Sequence, residues 1–289
     1  MNRAGGDAHG GTTGALDAFA LVCPHDGAAL SRTGQTLGCA HGHAFDIARQ
    51  GHANVLPVAH KASRDPGDSR AMVAARRKVL DGGGFEPVRD ALIEHASVRG
   101  VAARGGTALD AGCGEGYYTA ALAERWPALS VLGIDISRHA VRAAASRSRR
   151  TGWLVASNSR PPLAPGNADL IVSLFGFACW QAWADHQREG QGVLCIDPGP
   201  EHLIELRERI YPSVRRHPPP GDQAARVAGY RACGTHSLRV QRRGVPIEPL
   251  LAMTPHGHRA PPEARQRLID DPPPVMTLEV VLRSWRRDA

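Results

Sequence analysis

A glycine-rich loop lies between a predicted strand and a predicted helix. It spans Asp110 to Gly116 with the sequence DAGCGEG. The apolar segment before it is typical of a buried strand, and YYTAALAERW after it has the spacing of a helix. The glycines let the backbone turn sharply and approach a ligand, and the helix N-terminus supplies free N–H donors. This arrangement predicts a ligand-binding α/β domain.

Strands and helices alternate from residue 107 onward, which predicts a parallel sheet built from right-handed crossovers. Strands are predicted over 107–112, 129–137, 152–157, 168–175 and 192–199, with helices over 117–126 and 139–149. Helical spacing also occurs over 71–82, 86–96 and 202–211, and a last strand is predicted over 277–285. We predict a Rossmann-like domain over residues 85–289.

An acidic residue ends the strand that follows the glycine loop. Asp135 lies nineteen residues after Gly116, where a carboxylate suits a pair of ribose hydroxyls. Dinucleotides and S-adenosylmethionine both fit this layout, as does a loop with no ligand. Asp110 and Glu115 would repel a pyrophosphate, which favours S-adenosylmethionine. The contacts predicted from this pattern are Asp110, Gly112, Gly114 and Asp135.

The N-terminal region divides into three parts. Residues 1–20 are polar and Gly-rich and are predicted to be a disordered tail. Residues 21–57 suggest small hairpins. They have too few large apolar side chains to fold without an additional stabilising cross-link. Residues 58–84 are predicted to be a linker and a helix.

Cysteine and histidine residues in the hairpin unit have the spacing of a zinc site. Cys23, Cys39 and His43 come from two candidate knuckles, and either Asp26 or His25 could be the fourth ligand. A thiolate binds zinc more tightly than a carboxylate, so a ribbon that has lost its metal is the alternative.

The charge balance favours a polyanionic partner. The net charge is +7, and the pI is about 9.5. A basic strip is predicted along the ribbon and linker, comprising Arg49, His52, His60, Lys61, Arg64, Arg70, Arg76, Arg77 and Lys78.

The longest apolar stretch is far shorter than the ~20 residues of a membrane span. Without a secretory signal pattern, we expect a cytoplasmic protein with no membrane partner.

Taken together, these units resemble the RlmA family, 23S rRNA methyltransferases that modify N1 of a guanine. The likeness covers residues 21–289. It is carried by CPHDGAAL…CAHGHAFDIARQGHANVLP, HKASRDPGDSRAMVAARRKVLDGGGFEPVRDAL, ALDAGCGEGYYTAAL, PGPEHLIELRERIY and LLAMTP. A zinc ribbon joined to this glycine loop through SRDPGDS is a rare combination.

The resemblance implies a fold, a reaction and residue roles. The fold is an S-adenosylmethionine-dependent methyltransferase domain with a small N-terminal zinc ribbon, and the substrate is a guanine in a hairpin loop of 23S rRNA. Cys23, Cys39 and His43 match zinc ligands, while Asp26 stands where the family has a cysteine. The family positions near the methyl donor are Phe85, Tyr118, Thr119 and His202. Relatives can form homodimers through their ribbons.

Two segments depart from the family pattern. Residues 175–179 read FGFAC and residues 188–192 read REGQG, in a region that normally borders the substrate base. Two alternatives therefore stay open: a non-catalytic RNA-binding protein and a small-molecule methyltransferase. The general base is also open among Asp197, His202 and water.

Overall fold

The computed structural model describes residues 15–60, 63, 65–216 and 218–288. Residues 1–14 of the predicted tail, with Lys61 and Arg64 of the predicted basic strip, lie outside the described residues. The packed chain begins before residue 20, because Ala15–Ala18 form a 3-10 helix with Leu16 buried. Phe19 is also buried, so this end of the predicted tail belongs to the core.

The strands follow the predicted alternation with helices and add some that were not predicted. They are β1 (Ser31–Thr33), β2 (Thr36–Gly38), β3 (Ala44–Asp46), β4 (His52–Asn54), β5 (Thr107–Ala111), β6 (Ser130–Asp135), β7 (Gly152–Val155), β8 (Leu170–Leu174), β9 (Gly192–Pro198), β10 (Tyr230–Arg242) and β11 (Met276–Arg287).

The helices pack on both sides of the larger sheet and around its edge. They are α1 (Arg70–Asp81), α2 (Glu86–Glu94), α3 (Ala96–Ala102), α4 (Tyr117–Arg125), α5 (Arg138–Arg147), α6 (Trp180–Ala184), α7 (Ile204–Ile210), α8 (Gln223–Val227), α9 (Ile247–Met253), α10 (Pro255–Arg259) and α11 (Pro262–Asp270). None of these described helices has the length and apolar character needed to cross a membrane.

The larger sheet has the order β10-β11-β9-β8-β5-β6-β7-β4. The predicted parallel pairing is confirmed from β5 to β9. The last two strands differ, because β11 pairs antiparallel with both β9 and β10. The sequence did not indicate β10, because this long edge strand is mostly exposed and lacks a strong apolar alternation.

The ribbon shares its core with the larger α/β domain. β1, β2 and β3 form a small antiparallel sheet, while β4 pairs in parallel with β7 at the edge of the larger sheet. Leu37 and Ile47 belong to the same buried cluster as Leu132 and Leu154. The predicted unit of residues 21–57 therefore contributes one strand to the larger sheet.

The glycine loop is supported by the ring of Trp153, which is fully buried. A Cβ atom at Gly133 would lie 2.5 Å from the Trp153 ring, and one at Gly116 would lie 2.6 Å from it. The Trp153 indole N–H donates to the Ser148 carbonyl at 2.9 Å, which fixes the ring. The loop therefore packs closely against the domain because two glycines leave room for this indole.

Replacing Gly133 with alanine tests this packing. Because the new methyl group would overlap the fixed indole, Gly133→Ala should lower the free energy of unfolding by about 1–3 kcal/mol. Gly100→Ala is the control, since Gly100 lies in α3 and its Cβ position has open space around it among the described residues. That control should gain about 0.5–1 kcal/mol in urea unfolding. Equal stability of the two variants would contradict the packing role of Trp153.

Candidate active site

The glycine loop sits at the carboxyl edge of β5 and β6. The backbone N–H groups of Gly112 and Cys113 both donate to the carbonyl of Ile134, each at 2.9 Å. Gly112, Gly114 and Gly116 have φ angles of 105°, 56° and 81°. Residues with a Cβ rarely adopt these conformations, which explains the three glycines of the motif.

The Asp135 carboxylate joins the glycine loop to the turn after β6. Its Oδ2 accepts a hydrogen bond from Gly114 N at 3.0 Å, and its Oδ1 accepts one from Ser137 N at 2.8 Å. Burial raises the pKa of Asp135, while both N–H bonds oppose that shift. Each oxygen keeps a further lone pair with which it can accept a hydrogen bond from a hydroxyl group.

Asp110 is buried beneath the loop with one oxygen unsatisfied. Thr119 Oγ1 donates to its Oδ2 at 2.5 Å, whereas Oδ1 has no hydrogen-bond partner among the described residues. Burial, together with the nearby charges of Asp135 and Glu115, raises the pKa of Asp110 to about 7. A buried carboxylate oxygen without a partner suits a cationic ligand group.

These groups open into a cavity of about 1440 Å³. The predicted ligand contacts that line it are Phe85, Asp110, Gly112, Gly114, Tyr118, Asp135 and His202. The Tyr118 hydroxyl is buried with no hydrogen-bond partner in the described part of the chain. Thr119 does not line the cavity, because it lies fully buried behind Asp110 and bonds to its carboxylate.

Three rings form one wall of the cavity. Phe85 meets Phe175 edge to face at 6.1 Å between ring centroids, and His202 lies 6.0 Å and 5.7 Å from these two rings. The His202 Nδ1 lies 2.9 Å from the carbonyl oxygen of Glu279. Burial lowers the pKa of His202 to about 4, so the imidazole is neutral at pH 7.

Asp197, the other candidate base, is already engaged. Its Oδ2 accepts a hydrogen bond from Arg283 Nη2 at 2.7 Å, and both side chains are largely buried. The carboxylate lines the cavity, but its charge is compensated by this ion pair.

The linker also contributes to the cavity, which sequence reasoning missed. Asp68, Met72, Arg76 and Leu80 line it. Arg76 pairs with the Asp68 carboxylate, and Ser137 Oγ donates to the Asp68 carbonyl at 2.7 Å. Only the likeness of the SRDPGDS stretch to the RlmA family pointed to this region. Local sequence does not reveal that the linker lines the cavity, because this position depends on its contact with the turn after β6.

A compact cluster of possible metal ligands lies in the ribbon. Ligand atoms of Cys23, Asp26, Cys39 and His43 all fall within 4.8 Å of one another. His43 Nδ1 is 3.5 Å from each of the two sulfurs, and Asp26 Oδ2 is 2.9 Å from this nitrogen. Tetrahedral zinc with bonds of about 2.0–2.3 Å needs ligand atoms about 3.5 Å apart, so the four residues fit zinc.

The two histidines beside the cluster have different positions. His25 stacks on the His43 ring, with centroids 4.7 Å apart, and is not part of the cluster. His41 Nδ1 lies 2.9 Å from the same Asp26 oxygen that contacts His43. The structure therefore favours Asp26 over His25 as the fourth ligand.

Comparisons with known proteins agree with both halves of this arrangement. Residues 21–64 match the family model described as RlmA, N-terminal, and residues 108–194 match a methyltransferase domain. A 23S rRNA (guanine(748)-N(1))-methyltransferase of Streptomyces fradiae is 32% identical over 257 residues, covering 87% of this chain and 91% of the relative. The chain belongs to the RlmA family.

Further relatives differ in the share of the chain they cover. A Micromonospora griseorubida protein, provisionally named a 23S rRNA (guanine-N(1)-)-methyltransferase, is 31% identical over 92% of this chain and 97% of its own length. A trans-aconitate 2-methyltransferase of Azoarcus sp. is 38% identical, but over 44% of this chain and 49% of its own length.

Only part of the basic strip of this RlmA family member is available to bind a polyanion. Arg76 pairs with Asp68, and Arg77 lies 3.7 Å from Asp81. Arg49, Arg70 and Lys78 are exposed. The sequence pattern overestimated the strip, because acidic partners from the linker and α1 compensate two of its charges.

The carboxylate in the metal cluster gives a prediction. Asp26→Cys should raise zinc affinity at least about tenfold, because thiolate is the softer ligand. Competition with a chromophoric chelator would measure the affinity. Asp46→Cys, an exposed thiol in β3, is the control and should leave it unchanged. Unchanged zinc affinity in Asp26→Cys would contradict Asp26 as a ligand.

The buried Asp110 gives a second prediction, on pH. Its folded-state pKa of about 7 lies above its ordinary value of 3.8. Between these values the carboxyl is ionised in the unfolded chain but protonated in the folded protein, so the stability of the ligand-free protein falls as pH rises from about 4 to 7. Asp110→Asn should therefore raise the melting temperature by at least about 3 °C at pH 8, and by less at pH 5. It should also weaken S-adenosylmethionine binding.

Asp169→Asn is the matched control for Asp110→Asn. Asp169 accepts hydrogen bonds from Thr107 and Gln191, and its pKa is lowered. This variant should lose stability at pH 8. A fall in the melting temperature of Asp110→Asn at pH 8 would contradict the cost assigned to its buried charge.

Proposed function

We propose that this chain transfers a methyl group from S-adenosylmethionine to N1 of a guanine in a hairpin loop of 23S rRNA. The observation that carries the proposal is the likeness to the Streptomyces fradiae enzyme over 87% of the chain. The acidic glycine loop, which lines the cavity, and the four-residue cluster of the ribbon support it.

The residues of the cavity fit S-adenosylmethionine. Its charged sulfonium carries a methyl group that a nucleophile can accept. Asp135 would hold the ribose hydroxyls, and the loop backbone at Gly112 and Gly114 would lie against the ligand. Asp110 and Tyr118 each offer a buried polar atom that has no hydrogen-bond partner among the described residues. Phe85 and His202 would close the apolar side.

The N1 proton of guanine must leave for the nitrogen to accept a methyl group. Neither candidate base is well suited to take it. Asp197 is ion-paired with Arg283, and burial lowers the pKa of His202 to about 4. This favours release of the proton to water, with the chain contributing mainly position.

The proposed domains are a zinc ribbon over residues 21–57, a linker and helix over 58–84, and the methyltransferase domain over 85–289. We propose that the ribbon, with zinc on Cys23, Asp26, Cys39 and His43, holds the RNA backbone. A homodimer through the ribbons stays a prediction, which sedimentation can test. Because the substrate is ribosomal RNA, we place the reaction in the cytoplasm.

Mapping of 23S rRNA by reverse transcription tests the function. Methylation at N1 blocks Watson–Crick pairing, so cells with the gene should show a stop that vanishes on deletion. Position 748 is the first to examine, because the Streptomyces fradiae relative is named for it. Absence of a gene-dependent stop would favour the non-catalytic or small-molecule alternative, which methylation assays on a metabolite panel distinguish.

Replacing Asp135 tests the assignment of the methyl donor. Asp135→Ala should weaken S-adenosylmethionine binding at least tenfold in calorimetry, because the ribose would lose its carboxylate partner. Asp270→Ala, at an exposed position of α11 outside the cavity, is a control that should bind normally. Thermal unfolding of both variants separates loss of a ligand contact from loss of the fold. Unchanged binding by Asp135→Ala would contradict the assignment.

A further inference from the structure

Phe177 presents an exposed aromatic ring to the cavity. Its side chain is 91% exposed and lines the cavity near the end of β8. β8 pairs with β5, the strand that leads into the glycine loop, so both loops leave the same edge side by side. The ring is therefore placed beside the predicted methyl donor.

The backbone beneath this ring is held in place. Asn158 Nδ2 donates to the Phe177 carbonyl at 2.9 Å, and Trp183 Nε1 donates to Asn158 Oδ1 at 2.7 Å. Phe175, two residues earlier, has a φ of 55° and packs against Phe85 and His202. Phe175 thus completes the wall, while the Phe177 ring keeps its faces free.

Charge is unevenly distributed around the cavity. Asp110, Glu115 and Asp135 lie at the glycine loop, where a cationic ligand fits. The segment after α7, within residues 211–216, and residues 253–259 contribute Arg215 and Arg259 instead. Both arginines are exposed, and the acidic residues Glu201 and Glu208 pair with the neighbouring Arg216 instead.

The segment that carries Arg215 is anchored by another arginine. Arg207 Nη2 donates to the Arg215 carbonyl at 2.6 Å, and its Nη1 donates to the Pro200 carbonyl at 2.7 Å. The positive side chain is therefore presented from a supported backbone rather than from a free loop.

From these observations we infer a nucleotide subsite in which Phe177 stacks on the target guanine and Arg215 and Arg259 hold adjoining phosphates. This inference rests on the proposed function and names the residues that receive the RNA. An exposed ring stacks on any base, and guanidinium groups pair with phosphate. The cavity volume of about 1440 Å³ exceeds the ~1000 Å³ of a large single-ligand site, which leaves room for a flipped base beside the methyl donor.

The ring is tested by binding of a 23S rRNA hairpin with a fluorescent guanine analogue at the mapped position. Phe177→Ala should weaken binding about 5- to 100-fold and abolish the quenching that stacking causes. Phe177→Trp should restore both. Val227→Ala, which removes an exposed side chain outside the cavity, is the control. Affinity for S-adenosylmethionine should be the same in every variant.

The arginines are tested by the salt dependence of the same binding. Arg215→Ala with Arg259→Ala should reduce the slope of log affinity against log salt by about one for each arginine. Arg99→Ala, an exposed arginine of α3, should leave it unchanged. An unchanged slope in the double variant would overturn the phosphate contacts.

Methylation of the hairpin tests the proposed function, whereas binding of the hairpin tests the subsite. A hairpin that binds in a Phe177-dependent manner but is not methylated would refute the proposed function and support the subsite. Methylation by wild type, with equal binding and rate in Phe177→Ala, would overturn the subsite and leave the function standing. Failure of the wild-type protein to bind the hairpin would also overturn the subsite.

Discussion

The packing of the glycine loop on Trp153 underlies the arrangement of the whole cavity. Gly116 and Gly133 leave space for the indole. The loop therefore lies close enough to the end of β6 for Gly114 N to donate to the Asp135 carboxylate. That carboxylate also bonds to Ser137 N, which ties the turn after β6 to the loop. A side chain at either glycine would push these donors away from the carboxylate. The cavity thus depends on an apolar contact beneath it.

The turn after β6 extends this dependence to the ribbon. Ser137 Oγ bonds to the Asp68 carbonyl, and Asp68 pairs with Arg76 of α1. Residues that connect the ribbon to the methyltransferase domain therefore form part of the cavity wall. β4 adds a second connection, because it pairs with β7 of the larger sheet. Movement of the ribbon relative to the domain would break contacts at the cavity itself.

The buried ionisable groups of the cavity lower the stability of the ligand-free fold and favour ligand binding. Asp110 has one oxygen without a partner in the described part of the chain and a pKa of about 7, and His202 is held neutral by burial. A carboxylate in this state attracts a cationic ligand more strongly than a solvated one would. Arg215 and Arg259 carry the opposite charge to a different part of the same cavity, so its two regions suit two unlike ligands.

The sequence by itself determined the α/β class, the loop-forming glycines, the acid after β6 and the cysteine–histidine spacing, because each depends on local backbone geometry or short-range periodicity. It also placed Asp135 at the cavity through the spacing of the strand and the glycine loop, and Phe85 and His202 through family likeness. Only the tertiary structure decided that Asp26 rather than His25 joins the metal cluster, that Thr119 supports Asp110 from behind, and that β10 and β11 run antiparallel. It also decided that Phe177 and Arg215 share a cavity. These features depend on contacts between residues far apart in the chain, which local pattern and composition do not encode.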